Sequence, residues 1–422
     1  MGTAGVALLE TAKVLGGTAA KGKKPLLCWI VLSSVPYHDA RLKAVVEAGQ
    51  LAVCMIQITE MENFRVLQQE RESSIFPRYT LFPETPLNEI NWVEMVCRLQ
   101  SRLTEIRPSV VCINGWSYGG GLAALRWCLH QGVPVVVMSE STAIDAKRHW
   151  WLEAIKKRIV QLCSAALVGG RPHRVYIEVL GARSDRVFTG YDAVDNEHFR
   201  TGADAARQNG EVLRRALQLP EQYFMACARF VSKKNLPGLL RAYARYRQQR
   251  GPGAWSLVII GDGELRPNLL ALSERLGIGD DVRFPGPKPY GELPAYYGLA
   301  NAFIHASTTE QWGLVVNEAM AACLPVLVSD RCGSAADLVQ DGHNGFLFNP
   351  YDVDQLASAM LKVAADGTDR AAMGQRSQEI IASWSPGRFA DGLARAAWAA
   401  LSAEPPQPNI LDRALLSVLS TR

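Results

Sequence analysis

The chain has 422 residues, of which 48% are hydrophobic and 20% are charged, and its formal net charge is +4. This length and composition predict a globular protein of two or more domains and exclude a disordered chain. The charge is too small to indicate nucleic acid as a partner. Nine scattered cysteines without a CxxC pair argue against a zinc site and favour a reducing, cytoplasmic location.

The chain begins with an extension of small residues, 1–24, which ends in the basic sequence KGKK and lacks the pattern of an export signal. From Leu26, short apolar runs alternate with amphipathic segments, and no apolar run reaches the roughly 20 residues that span a bilayer. Buried strands are predicted for LLCWIVLSS, LAVCMIQIT, SVVCIN and VPVVVMS, with helices between them. Continuous β-branched runs between helices predict a parallel sheet that is covered on both faces.

A polar, less regular stretch, GYDAVDNEHFRTGADAARQNG, places a domain boundary near residue 200. The alternation then restarts, with strands predicted for YFMACARF, WSLVIIGDGE, DVRFPGP, NAFIHAS and LPVLVSD. We therefore predict two doubly wound α/β domains, 1–198 and 199–384, followed by C-terminal helices at 385–422. An apolar stripe on the last helix predicts packing on its own domain, with dimer or membrane contact as the alternative.

Two cations and a glycine turn form a candidate anion site in the second domain. Arg229 closes a predicted strand, and Lys234 lies five residues later, where a helix begins. The pair suits a diphosphate, since Arg donates forked hydrogen bonds and Lys supplies a point charge, although such a cluster is more often a solvated surface. Gly313 precedes the helix LVVNEAMAA, whose first amides have no intrahelical partner and attract anions.

Two glutamates flank this turn with seven residues between them. Glu310 lies just before the turn, and Glu318 lies about five residues into the helix, roughly 7 Å further along. One carboxylate is placed to accept from sugar hydroxyls, and the other to accept from the hydroxyls of a ribose. The acidic pair Asp352 and Asp354 instead has the pattern of a helix N-terminus, which argues against a metal site there.

Tyr191 to Trp398 resembles glycosyltransferase family 4, the retaining, metal-independent glycosyl transferases group 1 that are built like glycogen synthase. The matching segments, in order, are GYDAVDNEHF, ARFVSKKNL, VIIGDGELR, VRFPGP, EQWGLVVNEAMA, LPVLVSD, DGHNGFLF and SWSPGRFADGL. The resemblance implies the GT-B fold, with two Rossmann-like domains facing a cleft that closes by hinge motion. It also implies that 1–198 binds the acceptor, 199–384 binds the nucleotide sugar, and 385–422 crosses back to the first domain.

The resemblance implies transfer of a sugar from a UDP- or GDP-sugar to an acceptor hydroxyl of a polysaccharide, glycolipid or glycoconjugate, without metal or other cofactor. The departing phosphate takes the proton, and retention of the anomeric configuration follows from the resemblance.

Ala228 and Cys323 stand where the family usually has glycine, and we interpret both as packing variants. The implied roles are diphosphate binding by Arg229 and Lys234, phosphate or sugar contact by the amides of Gly313, Leu314 and Val315, sugar contact by Glu310, ribose contact by Glu318, and base binding by Phe284 to Gly286.

The first domain departs from the family pattern at two places. The usual Gly-Gly loop after the first strand is replaced by SSVPYHDAR, in which His38 is a candidate for donor or acceptor contact. The family's usual His after the strand VPVVVM is replaced by Glu140. That residue is a candidate for contact with a sugar or acceptor hydroxyl, and the alternative is that it caps the next helix through Ser141 and Thr142.

The sequence GWSYG offers a different reading, because G-x-S-x-G between a strand and a helix is typical of the nucleophile elbow of α/β-hydrolases. Ser117 would be the nucleophile, with Asp330 and His343 as partners. The restart of the pattern after residue 200 argues against one large hydrolase sheet. A dinucleotide-binding protein, suggested by glycines at 119–121 and 169–170, lacks an acidic residue at the ribose position. A catalytically inactive sugar-binding relative is the remaining alternative.

The segment RHWWLEAIKKRIVQL combines Trp150 and Trp151 with four cationic side chains. Such a helix is suited to peripheral contact with an anionic membrane at its inner face, where a lipid-linked acceptor would lie. The alternative is an ordinary surface helix with aromatic residues buried at one end. The oligomeric state is left open by the sequence.

Overall fold

The first half of the chain folds into a sheet of seven parallel strands in the order β3-β2-β1-β4-β5-β6-β7. The computed structural model describes residues 24–61 and 75–421, so most of the predicted N-terminal extension lies outside the described residues. The strands are β1 (Leu26–Val31), β2 (Ala52–Thr59), β3 (Arg78–Phe82), β4 (Val110–Asn114), β5 (Val135–Ser139), β6 (Ala165–Val168) and β7 (Val187–Thr189).

Helices cover both faces of this sheet, as its continuous apolar strands require. Successive side chains of a strand point to opposite faces. In β1, Cys28 and Ile30 therefore join one apolar core, while Trp29 and Val31 join the other. The helices of this half are α1 (Pro36–Ala48), α2 (Trp92–Ile106), α3 (Gly119–Gln131), α4 (Trp150–Gln161) and α5 (Arg171–Val179).

The second half builds a separate parallel sheet of six strands in the order β10-β9-β8-β11-β12-β13. Its strands alternate between two cores in the same way, with Tyr223 and Met225 on one face and Phe224 on the other. The strands are β8 (Tyr223–Cys227), β9 (Ser256–Ile260), β10 (Val282–Gly286), β11 (Ala302–His305), β12 (Val326–Ser329) and β13 (Gly345–Phe348).

The remaining helices lie on the second sheet or return to the first. They are α6 (Asn196–Gln208), α7 (Gly210–Ala216), α8 (Leu236–Arg250), α9 (Arg266–Arg275), α10 (Leu293–Leu299), α11 (Leu314–Ala321), α12 (Ala335–Leu338), α13 (Val353–Ala364), α14 (Arg370–Ala382), α15 (Pro386–Leu401) and α16 (Ile410–Leu419). Among the described residues, no helix is both long enough and apolar enough to cross a bilayer.

The stretch expected to be irregular at the end of the first half is helical from Asn196 onward. It is polar overall, but Phe199, Ala203 and Ala206 are buried at helical spacing. This stripe packs α6 against α10 of the second half. The helix was not predicted because its buried face consists of only one large apolar residue and two alanines.

The chain returns to the first half through α15, which packs against α1 and the strands β5 and β6. Its Phe389 and Leu393 are buried in the core that contains Trp29. The segment that leaves the first half lies beside the segment that returns to it. Asn196 Nδ2 donates to the carbonyl of Ile381 at 2.9 Å.

The last helix, α16, packs against α3, and its Leu416 is buried in the core of the first half. Arg158 of α4 donates to Asp412 of α16 through Nε and Nη2. The other end of the predicted apolar stripe stays at the surface, since Ile410 is 81% exposed and Leu411 is 74% exposed.

Both sheets are doubly wound, which confirms the predicted α/β class. The strand order reverses direction at β1 and β4 in the first sheet and at β8 and β11 in the second. Ligands of such sheets bind beyond the carboxyl ends of the strands at these switch points. The loops after β1, β8 and β11 are therefore the places where a functional site is expected.

Candidate functional site

Lys234 and Glu310 meet at the switch point of the second sheet. The loop after β8 carries Lys234, and the loop after β11 carries Glu310. The two loops are joined by their backbones, since the amide of Thr308 donates to the carbonyl of Lys233 at 2.9 Å. Lys234 Nζ donates to Oε2 of Glu310, and both side chains are about nine-tenths buried, with 12% and 10% exposed.

Two further side chains hold the carboxylate of Glu310. His305 Nε2 lies 3.3 Å from its Oε2, and Ser307 Oγ donates to the same oxygen at 3.2 Å. Burial acts to raise the pKa of Glu310, but the hydrogen bond from His305 and the charges of His305 and Lys234 outweigh it, so the pKa lies well below its usual range. Glu310 is therefore ionised at neutral pH, in a pocket of positive charge.

Gly313 permits the sharp turn between Glu310 and α11. Its φ of 93° lies in the left-handed region that favours glycine. A Cβ at this position would lie 2.9 Å from Sγ of Cys332 and 3.3 Å from Cγ of Glu310. The amides of Gly313, Leu314 and Val315 start an eight-residue helix directly beside the ionised carboxylate and Lys234, and all three residues are half-buried.

Glu318 has no exposed area, and it accepts hydrogen bonds from two tyrosines. Tyr297 donates to its Oε2 at 2.7 Å, and Tyr37 donates to its Oε1. Burial raises the pKa of Glu318 to about 7, and the two hydrogen bonds act against that rise. Tyr37 belongs to the first half of the chain, so this bond joins the two halves.

The remaining predicted donor residues line the β8 to β10 side of the same edge. Arg229 is exposed in the loop directly after β8. Phe284 packs edge-on against Phe230, with ring centroids 6.0 Å apart. Gly286, at φ 82°, ends β10, and its carbonyl accepts from the amide of Gly261 at 3.1 Å.

His38 has structural partners in the first half. Its Nδ1 accepts from the amide of Val35 at 3.3 Å at the start of α1, and its ring lies edge-on to Trp29, with centroids 4.8 Å apart. Burial and the nearby charges of Arg41 and Arg78 lower the pKa of His38 to about 3, so the ring is neutral. Its contact with a substrate stays a prediction.

Glu140 lies half-buried after β5 and faces a carboxyl group that the sequence reasoning did not single out. Asp192 is fully buried, and burial and the charge of Glu140 raise its pKa well above the usual value. Arg41 Nη2 lies 3.8 Å from Oδ1 of Asp192, and Arg41 Nε donates to the carbonyl of Ala193. Burial and the charge of Glu140 thus favour the protonated form of Asp192.

The alternative in which Glu140 caps a helix through Ser141 and Thr142 is wrong. The next helix, α4, begins ten residues after Glu140, and its N-terminal residue His149 makes no side-chain cap. Ser141 and Thr142 instead lie in a turn, where the amide of Thr142 donates to Asp145. The polar residues after β5 therefore bond within the loop between β5 and α4 rather than to the start of the helix.

Ser117 is exposed in the turn before α3, on the first sheet, whereas Asp330 and His343 follow elements of the second sheet. In the part of the chain that the structure describes, no hydrogen bond joins Ser117 to either of them. The described residues therefore do not form the Ser-His-Asp arrangement that the hydrolase alternative requires. Asp352 caps α13, as predicted, by accepting from the amides of Asp354 and Gln355.

Among residues 24–61 and 75–421, no three His, Cys, Asp or Glu side chains gather as metal ligands would. The structure brings together Lys234, Glu310 and the start of α11, and it adds residues that the sequence analysis missed. A signal for His305 and Ser307 was present in NAFIHAS, where polar side chains follow a buried strand. The additional site residues are His305, Ser307, Tyr37, Tyr297, Asp192 and Arg41.

The second half of the chain is similar in sequence to sugar-transferring enzymes. A family model described as glycosyl transferases group 1 matches residues 211–380. A GDP-mannose-dependent alpha-(1-6)-phosphatidylinositol monomannoside mannosyltransferase of Mycobacterium tuberculosis is 32% identical over 200 residues, which are 45% of this chain and 50% of that protein. A D-inositol 3-phosphate glycosyltransferase of Salinispora arenicola is 31% identical over 227 residues, 52% of this chain and 50% of that protein. The chain spans about half the length of these curated relatives.

Solved structures match over nearly the whole chain. Anabaena HepE in complex with UDP gives a TM-score of 0.69 at 17% identity, over 87% of this chain and 98% of HepE. The sucrose-phosphate synthase of Thermosynechococcus elongatus gives 0.68 at 18% identity, over 88% of this chain and 97% of that protein. At these identities the likeness shows a shared fold.

Proposed function

We propose, since this chain belongs to the glycosyl transferases group 1 family, that it transfers a sugar from a UDP- or GDP-sugar to an acceptor hydroxyl with retention of anomeric configuration. Its fold is GT-B, as predicted, since the two solved structures share it over 87% and 88% of the chain. The observation that carries the proposal is the cluster of Lys234, Glu310 and the N-terminus of α11 at the second switch point.

The cluster supplies what the departure of a nucleoside diphosphate requires. Negative charge grows on the diphosphate as the glycosidic bond breaks, and fixed positive groups aimed at that charge lower the barrier. Lys234, Arg229 and the amides of Gly313, Leu314 and Val315 are the groups that we assign to this task. Since these groups are part of the protein, we propose that they neutralise the diphosphate without a metal ion.

Glu310 is assigned to the transferred sugar. A buried, ionised carboxylate accepts hydrogen bonds from sugar hydroxyls, and it favours positive charge that develops on the sugar ring in the transition state. In the free protein Lys234 is bonded to this carboxylate, so an arriving diphosphate competes for the lysine. Binding of the donor thus exposes the Glu310 carboxylate to the sugar at the moment when the sugar is present.

The acceptor side is assigned to the first half of the chain. Glu140 and Asp192 lie beyond the carboxyl ends of β5 and β7, and the raised pKa of Asp192 favours a protonated carboxyl group there. Carboxyl groups at this place are suited to an acceptor, because their oxygens accept hydrogen bonds from its hydroxyl groups. We propose a hydroxyl of a glycolipid or other glycoconjugate as the acceptor, by analogy with the phosphatidylinositol mannoside mannosyltransferase and the inositol phosphate glycosyltransferase to which the chain is similar.

Ligand binding tests this function directly. We expect UDP or GDP, and the matching nucleotide sugar, to raise the melting temperature of the full chain by several degrees, because a ligand at ~100 times its Kd stabilises the native state by about 2.7 kcal/mol. The shift is expected to persist in EDTA, and CMP is the control nucleotide. A protein whose melting temperature ignores both UDP and GDP would contradict the proposal.

We also propose that the first half rests on an anionic membrane at the cytoplasmic side. Trp150 is 84% exposed and Trp151 is 50% exposed at the start of α4. The bond between Arg158 and Asp412 joins this helix to the start of α16, where Ile410 and Leu411 are exposed. Aromatic and aliphatic side chains beside cationic ones are the composition of an interfacial surface.

Replacement of both Trp150 and Trp151 by Ala is expected to weaken partition onto vesicles of anionic phospholipid by at least about tenfold, since burial of one large apolar side chain contributes about 2 kcal/mol. Sedimentation with vesicles measures the partition. Tyr351→Ala is the control, because Tyr351 is an aromatic residue on the second half whose exposure, 70%, lies between those of the two tryptophans. Equal loss in the control, or no loss in the double variant, would count against membrane contact through α4.

A further inference from the structure

The carboxylate assigned to the ribose of the donor is already occupied. Tyr37 donates to Oε1 of Glu318, and Tyr297 donates to Oε2 at 2.7 Å. Glu318 itself has no exposed area. A ribose therefore reaches this carboxylate only if one of the side chains that cover it moves.

The two tyrosines differ in their ability to move. Tyr297 lies on α10 of the second half and is fully buried, and its ring packs against Phe199 and Phe303. Tyr37 is half-buried and lies at the start of α1, in the first half. Its ring contacts Tyr290 edge-on, with centroids 5.6 Å apart. Only Tyr37 can leave Glu318 by a relative displacement of the two halves.

We propose that Tyr37 is a further residue of the donor site, which bonds Glu318 in the free protein and is displaced by the ribose of the nucleotide sugar. This inference rests on the proposed function and adds a competitor from the first half to the donor site. The phenol hydroxyl stands in for a ribose hydroxyl, because both donate to the same carboxylate oxygen. Donor binding then exchanges one hydrogen bond for another and releases the contact between the halves.

The exchange has a measurable consequence for affinity. Part of the hydrogen-bond energy of the ribose is offset by the loss of the Tyr37 bond, and one hydrogen bond contributes on the order of a tenfold change in an equilibrium constant. Removal of the Tyr37 hydroxyl is thus expected to tighten binding. A residue with a merely structural role would leave affinity unchanged or weaken it.

The test is the Kd of UDP or GDP, whichever raises the melting temperature more, measured by titration calorimetry on the full chain. Tyr37→Phe is expected to bind about tenfold more tightly than the wild type. Tyr297→Phe is expected to bind no more tightly than the wild type, because Tyr297 holds the carboxylate in place during binding. Tyr290→Phe controls for loss of a neighbouring hydroxyl, since the Tyr290 hydroxyl has no hydrogen-bond partner among the described residues.

A double-variant cycle shows whether the effect passes through Glu318. In a Glu318→Ala background, Tyr37→Phe is expected to leave the Kd unchanged within about twofold. Equal or weaker binding by Tyr37→Phe than by the wild type overturns the inference, as does equal tightening with and without Glu318. If Glu318→Ala does not fold, the two single variants decide alone, with tighter binding expected for Tyr37→Phe and no tighter binding expected for Tyr297→Phe. Failure of the wild type to bind either nucleotide would instead overturn the proposed function.

Discussion

Lys234→Ala is expected to lower kcat/KM for the nucleotide sugar by about 10²–10³-fold, the range seen when one preorganised donor is removed from a developing negative charge. Lys234 is only 12% exposed and is held by the loop after β8, so no solvent cation replaces it at low cost. The affinity for the free nucleoside diphosphate is expected to fall as well. Initial-rate kinetics and calorimetry measure the two effects.

Lys233 provides a matched control one residue away. Its side chain is 40% exposed, and its Nζ lies 4.0 Å from Oε1 of Glu310. Lys233→Ala is expected to cost less than about fivefold, because partly exposed charges are screened by water. A similar loss in both variants would mean that general positive potential, rather than the position of Lys234, supports the diphosphate. Thermal unfolding of each variant shows whether the fold survives.

Glu310→Gln is expected to lower kcat by about 10²-fold or more while the Kd of the nucleoside diphosphate stays within a few-fold of the wild type. The substitution keeps the size of the side chain and removes its negative charge, so it acts where positive character develops on the sugar. Loss in kcat with little change in ground-state binding marks an interaction made chiefly in the transition state. Single-turnover kinetics and nucleotide titration separate the two quantities.

The second glutamate of the pair supplies the comparison for this experiment. Glu318→Gln is expected to weaken nucleotide binding and to have a smaller effect on kcat, because Glu318 is assigned to the ribose. The two variants thus have opposite kinetic signatures although both residues flank the same turn. If Glu310→Gln behaved like Glu318→Gln, the assignment of Glu310 to the sugar would have to be abandoned.

The strands with long apolar runs were predictable from the sequence, and so was the doubly wound class. Four short strands were not predicted, namely β3, β6, β7 and β13. A run of three to five residues does not by itself distinguish a strand from a loop or part of a helix, although other strands of four or five residues were found. The helix α6 escaped because its buried face consists of Phe199 and two alanines. Whether such short segments form strands or helices is decided by the elements that pack against them, which the local sequence does not show.

The donor cluster was predictable in part for a similar reason. Glycine before a helix and charged residues after strands are local signals, and the structure brings Lys234, Glu310 and Gly313 together. The contacts of Tyr37 with Glu318 and of Asp192 with Arg41 were not predictable, because they join residues 281 and about 150 positions apart. Such pairs depend on how the two halves meet, which no local pattern of the sequence records.

The paired crossing of the chain between its halves constrains the motion that we predict for the cleft. Asn196 bonds the carbonyl of Ile381, and Arg388 Nη2 donates to Oγ1 of Thr189 at 3.2 Å, so the two connecting segments are fixed beside each other. Two adjacent tethers allow rotation about a single axis and resist sliding. Helix α1, which begins at Pro36 and carries Tyr37, packs against α15, the helix that follows the returning segment. We therefore expect the cleft between the halves to open and close by one rotation. In that rotation the Tyr37 hydroxyl leaves the Glu318 carboxylate and returns to the same position.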